Sequence, residues 1–194
     1  MNETQTYRQT KRTLIIGAPG TGKTTLLHRI LAESGQRTLV ITPYMVEWTE
    51  RDANGNELYP ELPDLRPSNL FFTGIRRHVF RPRYTLEHLS SFRRGIIVFD
   101  DCRGYFKANL DEKIHTLLLG TRQNMIDVFA VAHGFREVPP VFFTFATDYI
   151  LFRTEDNLDR RASDIRCIDT VRRMQALVNN NSIQNPWTYQ WFKL

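Results

Sequence analysis

The sequence predicts an α/β fold of three layers, in which a mostly parallel central sheet has helices on both faces. Three observations indicate this class. The apolar run Thr13–Ile16 leads through glycines into a helical pattern, a second run at Gly95–Phe99 ends in two acids, and a third at Ile126–Ala132 ends in a histidine. Unbroken apolar runs are typical of parallel strands buried on both faces, and strands that alternate with helical patterns form βαβ units.

Length and composition agree with one globular domain. The 194 residues suit a single domain over residues 1–194, since two full domains would be cramped. An apolar content of 41% argues against a disordered chain. We expect no transmembrane segment and no secretory leader, because no run is long and apolar enough. Cys102 and Cys167 lack metal-like spacing, which predicts free, buried thiols in a reducing interior.

The first elements follow the order strand, helix, strand. Thr13–Ile16 is the first predicted strand, and a helical pattern over Gly22–Glu33 follows it. Gly35 is placed to end that helix. Thr38–Thr42 predicts a second parallel strand, reached through a βαβ crossover. The polar residues 1–12 show no periodicity and predict a loose arm or an edge segment.

Residues 43–94 break this alternation and predict an insertion between core elements. Asn54-Gly55-Asn56 is a turn signal, and the prolines at positions 60, 63 and 67 oppose regular structure. Asn69–Thr73 predicts a short strand. Ligands of open α/β sheets bind at the carboxyl ends of strands, so we expect this insertion to face a substrate.

The second half of the chain returns to alternating helices and strands. Apolar spacing predicts helices over Ala108–Leu119, which Gly120 ends, and over Asn157–Asn179, with Asn157 as the N-cap. The remaining predicted elements are strands at Ile126–Ala132 and Asp148–Arg153, a short helical or irregular segment over Pro139–Ala146, a loop at Asn179–Ser182 and an edge strand at Trp187–Phe192.

The segment Gly17–Thr24 carries the most specific motif. It fits G-x-x-x-x-G-K-[ST], the phosphate-binding loop, without a mismatch, and it lies between a strand and a helix. Lys23 supplies positive charge to the β- and γ-phosphates, and the Thr24 hydroxyl is placed for Mg²⁺. The motif predicts a P-loop NTPase fold, RecA/ASCE-like, that binds ATP and Mg²⁺. The expected nucleotide contacts are Gly17, Ala18, Pro19, Gly20, Thr21, Gly22, Lys23, Thr24 and Thr25.

Polar residues end two of the predicted strands at the same sheet edge. Asp100 follows Gly95–Phe99 and is placed to hold Mg²⁺, directly or through water. Asp101 comes next and can orient or deprotonate the attacking water. His133 ends the strand Ile126–Ala132, where it could sense the γ-phosphate or hold that water, although a structural or exposed histidine is the alternative.

Arginines cluster in the predicted insertion, while the whole chain carries a formal charge of +5. Aromatic residues are interleaved with them, which is typical of a surface that contacts a nucleic-acid backbone. A solvated face, or arginines that meet a neighbouring subunit, remain alternatives. The cluster comprises Arg66, Arg76, Arg77, Arg81, Arg83, Arg93 and Arg94.

The order of these motifs resembles the FtsK–HerA group of motor ATPases, over roughly residues 13–155. Within that group, the compact size resembles the genome-packaging ATPases of tailless, membrane-containing viruses. By position, Asp101 stands where the group usually has a catalytic Glu, and His133 stands where it usually has a Gln. Arg122 corresponds to the arginine that reaches into a neighbouring subunit's site. A cation at a helix C-terminus is the alternative role for Arg122.

The resemblance implies a motor that hydrolyses ATP and moves double-stranded DNA. It implies a ring of five or six subunits whose sites lie at subunit interfaces, with Lys23, Asp101, His133 and Arg122 as catalytic residues. Capsid or membrane-vertex proteins would be further partners, and the host cytoplasm or the virion the location. Three alternatives stay open: a Zot-like phage-assembly ATPase, a non-motor small-molecule kinase or nucleotide switch whose arginine-rich lid is residues 76–94, and a helicase loader.

Overall fold

The computed structural model describes residues 9–82, 84–105 and 111–194. Its centre is a seven-stranded sheet with the strand order β3-β2-β4-β5-β1-β6-β7. The strands are β1 (Arg12–Ile16), β2 (Thr38–Thr42), β3 (Ile75–Val79), β4 (Gly95–Phe99), β5 (Ile126–Ala132), β6 (Asp148–Phe152) and β7 (Tyr189–Lys193). The α-helices are α1 (Lys23–Ser34), α2 (Tyr84–Leu89), α3 (Asp111–Leu119), α4 (Thr121–Asn124), α5 (Pro140–Phe145) and α6 (Ile168–Asn181).

Six of the strands are parallel, and β7 alone pairs antiparallel, with β6. This confirms the predicted mostly parallel sheet. β5 lies between β1 and β4, so the strand that ends at the histidine separates the glycine loop from the paired acids. The strands β1, β2, β4, β5 and β6 are buried almost throughout, as their apolar runs predict.

Alternate residues of the strands pack into two separate cores, which makes the fold three-layered. On one face, Ile15, Val40 and Val98 pack with Leu27 and Leu31 of α1. On the other face, the neighbouring strand residues pack against α2, α3, α5 and α6. Leu14, Leu39, Ile97, Leu86, Ile114, Phe143 and Val171 represent that second core.

The predicted strand at Asn69–Thr73 is wrong. Residues Pro67–Leu70 form a 3₁₀ turn instead, and Phe71 is 84% exposed. The strand at this edge of the sheet is β3, six positions further on than predicted, and its residues pair in parallel with β2. The segment predicted as an insertion therefore contributes the strand β3 to the sheet and the helix α2 to the layer that packs on one face of the sheet.

The predicted helix over Asn157–Asn179 is interrupted. Asn157 does cap a turn, since its side-chain oxygen accepts a bond from the Asp159 amide at 2.7 Å, but this turn is a 3₁₀ helix that ends at Arg161. Cys167 then adopts a left-handed conformation (φ 53°) as the N-cap residue of α6, so the two helices are separate. α6 continues to Asn181, so the loop predicted from Asn179 begins later.

Other boundaries were predicted closely. Gly35 ends α1 with φ 59°, and the predicted helix that Gly120 ends is observed from Asp111, while its first residues, 108–110, lie outside the described ranges. Residues 1–8, which make up most of the predicted arm, also lie outside the described ranges. Cys102 is buried, which raises the pKa of its thiol well above the ordinary value, but Cys167 is exposed, contrary to prediction.

Candidate active site

The carboxyl ends of β1, β4 and β5 bring the glycine loop, the paired acids and the histidine to one cleft. The cleft has a volume of about 630 Å³. Lys23, Thr24, Asp100, Asp101 and His133 all line it. Parallel strands in adjacent positions end at the same sheet edge, which is why residues far apart in the chain meet here.

The loop takes a shape that only glycine accepts readily at several of its positions. Gly20 and Gly22 have φ values of 76° and 94°, a region that other residues rarely adopt. At Gly17 the constraint is space, because a Cβ there would lie 2.4 Å from the Cβ of Phe152. The loop is thus pressed directly against the end of β6.

The N-terminus of α1 faces the cleft without a side-chain cap. Gly22 is its N-cap residue and makes no side-chain cap bond, and the first turn contains no acid. Amides at such an end are free to bind an anion, and the helix dipole adds to the attraction. This end of α1 is therefore suited to a phosphate group.

Lys23 is buried inside the loop. Its Nζ donates to the carbonyl oxygens of Gly17 at 2.6 Å and Ala18 at 2.9 Å, and it lies 3.4 Å from Nδ1 of His133. Burial lowers the pKa of Lys23 to about 8, against the charges of Asp100, Glu137 and Asp101, which raise it. The charged form of Lys23 is therefore only partly stabilised by these acids, and a bound polyphosphate anion would stabilise it further.

Asp100 is buried and held by an indole. The Nε1–H of Trp48 donates to Oδ2 of Asp100 at 2.7 Å. Burial raises the pKa of Asp100, while the Trp48 bond opposes that rise. Trp48 is itself packed between rings, with centroids 4.3 Å from His28 and 5.0 Å from Tyr59, and it adopts φ 57°. The loop after β2 therefore fixes the orientation of the acid at the end of β4.

Asp101 presents a carboxylate oxygen without a partner. The hydroxyl of Tyr44 donates to its Oδ2 at 3.1 Å, but its Oδ1 is buried and has no hydrogen-bond partner among the described residues. Across the cleft, Thr24 is exposed at the first turn of α1. The buried Asp100 carboxylate and the exposed Thr24 hydroxyl line the same cleft and are oxygen donors of the kind that fits Mg²⁺, while the unpartnered Oδ1 of Asp101 can accept a bond from a water.

Glu47 is a site residue that sequence reasoning missed. It lines the cleft, accepts a bond from the Thr42 hydroxyl at 3.0 Å and shares a hydrogen bond with Asp100. Burial, followed by the charge of Asp100, raises the pKa of Glu47. Its segment has no periodicity, so the only available signal was its position just after the carboxyl end of β2.

His133 connects the loop to a second group of charges. Besides its contact with Lys23, its backbone amide donates to Oε2 of Glu137 at 3.1 Å. Glu137 in turn pairs with Arg103 at 3.1 Å. His133 therefore contacts Lys23 through its ring and a charged pair at the rim of the cleft through its backbone amide.

Arg122 lies at the opposite edge of the sheet. It belongs to α4, which precedes the amino end of β5, and it is exposed. β5 contains seven residues, so at about 3.3 Å per residue it separates Arg122 from the loop edge by roughly 20 Å. Arg122 therefore cannot reach the cleft of its own chain.

The arginines predicted as one basic surface have different surroundings. Arg77 is buried and pairs with Glu61 at 2.9 Å, and Arg66 pairs with Asp64. Arg81, Arg93 and Arg94 are exposed, and Arg83 lies outside the described residues. Because residues 75–79 and 84–89 belong to β3 and α2, they do not form a lid over the cleft.

No family model matches the sequence, and no curated protein matches it. Among the described residues, no helix is long and apolar enough to cross a membrane. Solved structures do match. The genome packaging NTPase of Sulfolobus turreted icosahedral virus 2 in complex with AMP aligns with a TM-score of 0.69 at 11% identity, covering 95% of this chain and 92% of that one.

Two further matches extend this likeness. The same NTPase in complex with AMPPCP aligns with a TM-score of 0.62 at 12% identity, over 95% of this chain and 92% of that one. The N-terminal domain of zonular occludens toxin from Neisseria meningitidis aligns with a TM-score of 0.50 at 13% identity, over 96% and 95%. At these identities the likeness establishes the fold: this chain has the α/β fold of the viral genome-packaging NTPases, which the order of its motifs already resembles.

Proposed function

We propose that the chain binds and hydrolyses Mg-ATP and uses the cycle to move double-stranded DNA into a viral particle. The observation that carries this proposal is the convergence of Lys23, Asp100, Asp101 and His133 on one cleft. Support also comes from a fold shared with a genome packaging NTPase that was crystallised with nucleotides. We place this activity in the cytoplasm of a host cell or on the virion, with capsid or membrane-vertex proteins as later partners.

The residues of the cleft divide the work of phosphoryl transfer, which depends on positioning and charge stabilisation. The loop amides and Lys23 would hold the β- and γ-phosphates. Thr24 and Asp100 would hold Mg²⁺, which supplies positive charge next to the transferring group. Asp101 would orient the attacking water through its unpartnered Oδ1, and His133 would contact the γ-phosphate or that water.

We further propose that Arg122 acts on the site of a neighbouring subunit in a ring of five or six. The support is its place at the sheet edge opposite the loop, where it is exposed and cannot serve its own site. An arginine supplied in this way raises hydrolysis by about 10³ to 10⁵. Turnover would then require assembly.

The decisive experiment measures ATPase rate against protein concentration, with and without duplex DNA. A steeper than proportional rise that DNA enhances is expected, while Lys23→Ala serves as the inactive control. Mixing Arg122→Ala with Lys23→Ala subunits should restore part of the turnover, because the intact loop of the first variant meets the intact arginine of the second wherever the two are suitably adjacent. A rate strictly proportional to concentration, together with no rescue in the mixture, would contradict the shared site.

A Zot-like assembly ATPase is the second candidate, and the likeness to the zonular occludens toxin domain favours it. Such a protein works at a membrane, whereas a packaging motor works on DNA and a capsid. Flotation with lipid vesicles, compared with stimulation by duplex DNA, separates the two. Vesicle binding without DNA stimulation would favour the assembly ATPase.

A further inference from the structure

A second cavity opens beside the glycine loop, and its walls are largely aromatic. It has a volume of about 470 Å³. We call it the aromatic cavity, after Phe152, Trp187 and Tyr189. The other residues that line it are Gly22, Thr25, Leu26 and Arg29.

The antiparallel strand β7 brings these rings to the loop edge. Tyr189, the first residue of β7, pairs with Phe152, the last residue of β6, and their ring centroids lie 5.3 Å apart. Trp187 precedes β7 in an ordered turn, where its amide donates to Oδ1 of Asn185 at 3.0 Å. The position of all three rings therefore follows from the sheet rather than from a free tail.

Trp187 lies directly against the loop. Its Cδ1 is 3.3 Å from where a Cβ on Gly22 would stand, yet 66% of the residue is exposed. A large indole that is fixed at one edge and open at its surface is expensive to leave in water. Part of the indole lines the aromatic cavity, which favours a small planar occupant.

The aromatic cavity is continuous with the cleft that holds Lys23. Gly22, Thr25 and Trp187 line both. A triphosphate bound by the loop must direct the rest of its nucleotide away from the acids, and Thr25, one helix position beyond the motif, marks the path into the aromatic cavity. We propose that the aromatic cavity binds the nucleobase, with the Trp187 indole as its stacking surface. This inference rests on the proposed nucleotide-binding function.

The lining also determines base selectivity. Among the residues that the structure describes, no acid lines the aromatic cavity. The polar side-chain groups that line it are the Thr25 hydroxyl, the Tyr189 hydroxyl and the Arg29 guanidinium, of which the last two bond each other at 3.4 Å. Stacking is tolerant of base identity because every base has a π face. Strong selectivity requires buried groups that hydrogen-bond one base, and this cavity presents none. ATP and GTP should therefore bind with similar affinity.

The experiment measures equilibrium binding of two probes in the presence of Mg²⁺: a non-hydrolysable ATP analogue and inorganic tripolyphosphate. Trp187→Ala should weaken the ATP analogue about tenfold or more, the amount that one stacked base contributes, and leave tripolyphosphate unchanged. Trp187→Phe keeps a ring and should recover much of the loss. Trp191→Ala is the matched control, since Trp191 is also partly exposed on the same C-terminal segment but does not line the aromatic cavity.

Each outcome decides something. If Trp187→Ala binds the ATP analogue as tightly as the parent, the aromatic cavity is not the base site, although the proposed function survives. A non-hydrolysable GTP analogue is then measured on the parent in the same way, and a difference of more than about 100-fold from the ATP analogue would show that the base-tolerant stacking surface is wrong. If the parent binds neither probe, the proposed function and this inference fall together.

Discussion

Trp48→Phe tests whether an indole fixes the acid at the end of β4. The substitution removes the Nε1–H that donates to Asp100 at 2.7 Å and keeps an aromatic ring against His28 and Tyr59. Trp48 is 3% exposed and Asp100 is 8% exposed, so water cannot readily replace the lost donor. The carboxylate would remain buried with one bond fewer.

The magnitude depends on the charge of Asp100. A hydrogen bond to an ionised group contributes about 1.5–3 kcal/mol, whereas a bond between neutral groups contributes about 0.5–1.5 kcal/mol. Burial already raises the pKa of Asp100, and without the Trp48 bond that pKa rises further. A carboxyl whose folded pKa is raised loses folding stability as pH rises through that pKa. The variant should therefore lose more stability at neutral than at acid pH.

Denaturant unfolding at about pH 7 and about pH 4 measures the loss of unfolding free energy at each pH. In thermal unfolding at neutral pH, the melting temperature should fall by roughly 3 to 12 °C. Trp191→Phe is the matched control. It removes a similar donor, at 3.4 Å from Asp148, but from a ring that is 43% exposed, so its cost should stay within about 0.5 kcal/mol. An equal loss at both pH values in Trp48→Phe would show that packing, not the bond to Asp100, carries the effect.

Three further predictions concern the loop and the edge strand. Gly17→Ala should cost about 1–3 kcal/mol in unfolding free energy and weaken nucleotide binding, because its Cβ would overlap Phe152; a parent-like melt with parent-like binding would contradict this. Tripolyphosphate affinity should fall as pH rises above about 8, since Lys23 then loses its proton; calorimetric titration measures this affinity, and Lys23→Arg is the control that keeps its charge. The contribution of Lys23 to folding stability should rise between about pH 8 and 10.5, because the unfolded chain binds more protons there than the folded protein. Arg77→Ala should lower stability by about 1–3 kcal/mol through the loss of its bond to Glu61, with no change in the salt dependence of DNA binding; a reduced salt slope would return Arg77 to the DNA surface.

The sequence predicted the interior of the sheet better than its edge. β1, β2, β4, β5 and β6 are buried on both faces, and burial on both faces requires the apolar runs that reveal them. β3 has the sequence Ile-Arg-Arg-His-Val, which does not resemble a strand. Its buried Arg77 is satisfied by Glu61 and by the Met45 carbonyl, and contacts between distant segments leave no local pattern.

The residues of the candidate site likewise differ in how well the sequence predicts them. The loop and Asp100 belong to motifs with fixed spacing, so their meeting follows from strand order alone. Glu47 and Trp48 belong to a segment without regular structure, and they approach Asp100 only through the packing of Trp48 against His28 and Tyr59. The break before α6 depends on the left-handed backbone of Cys167, a residue type that gives no warning of such a turn.

The two carbonyl bonds that Lys23 makes within its own loop change how its removal should be interpreted. In the free protein this side chain has a structural role, because its hydrogen bonds connect the start of the loop to the start of α1. Lys23→Ala removes the positive charge and the two hydrogen bonds that hold the loop together. An inactive Lys23→Ala variant therefore does not show which of these two losses abolishes activity. Lys23→Met fills the same space but, like Lys23→Ala, lacks the charge and both carbonyl bonds, so a comparison of the two isolates the packing contribution of the side-chain stem.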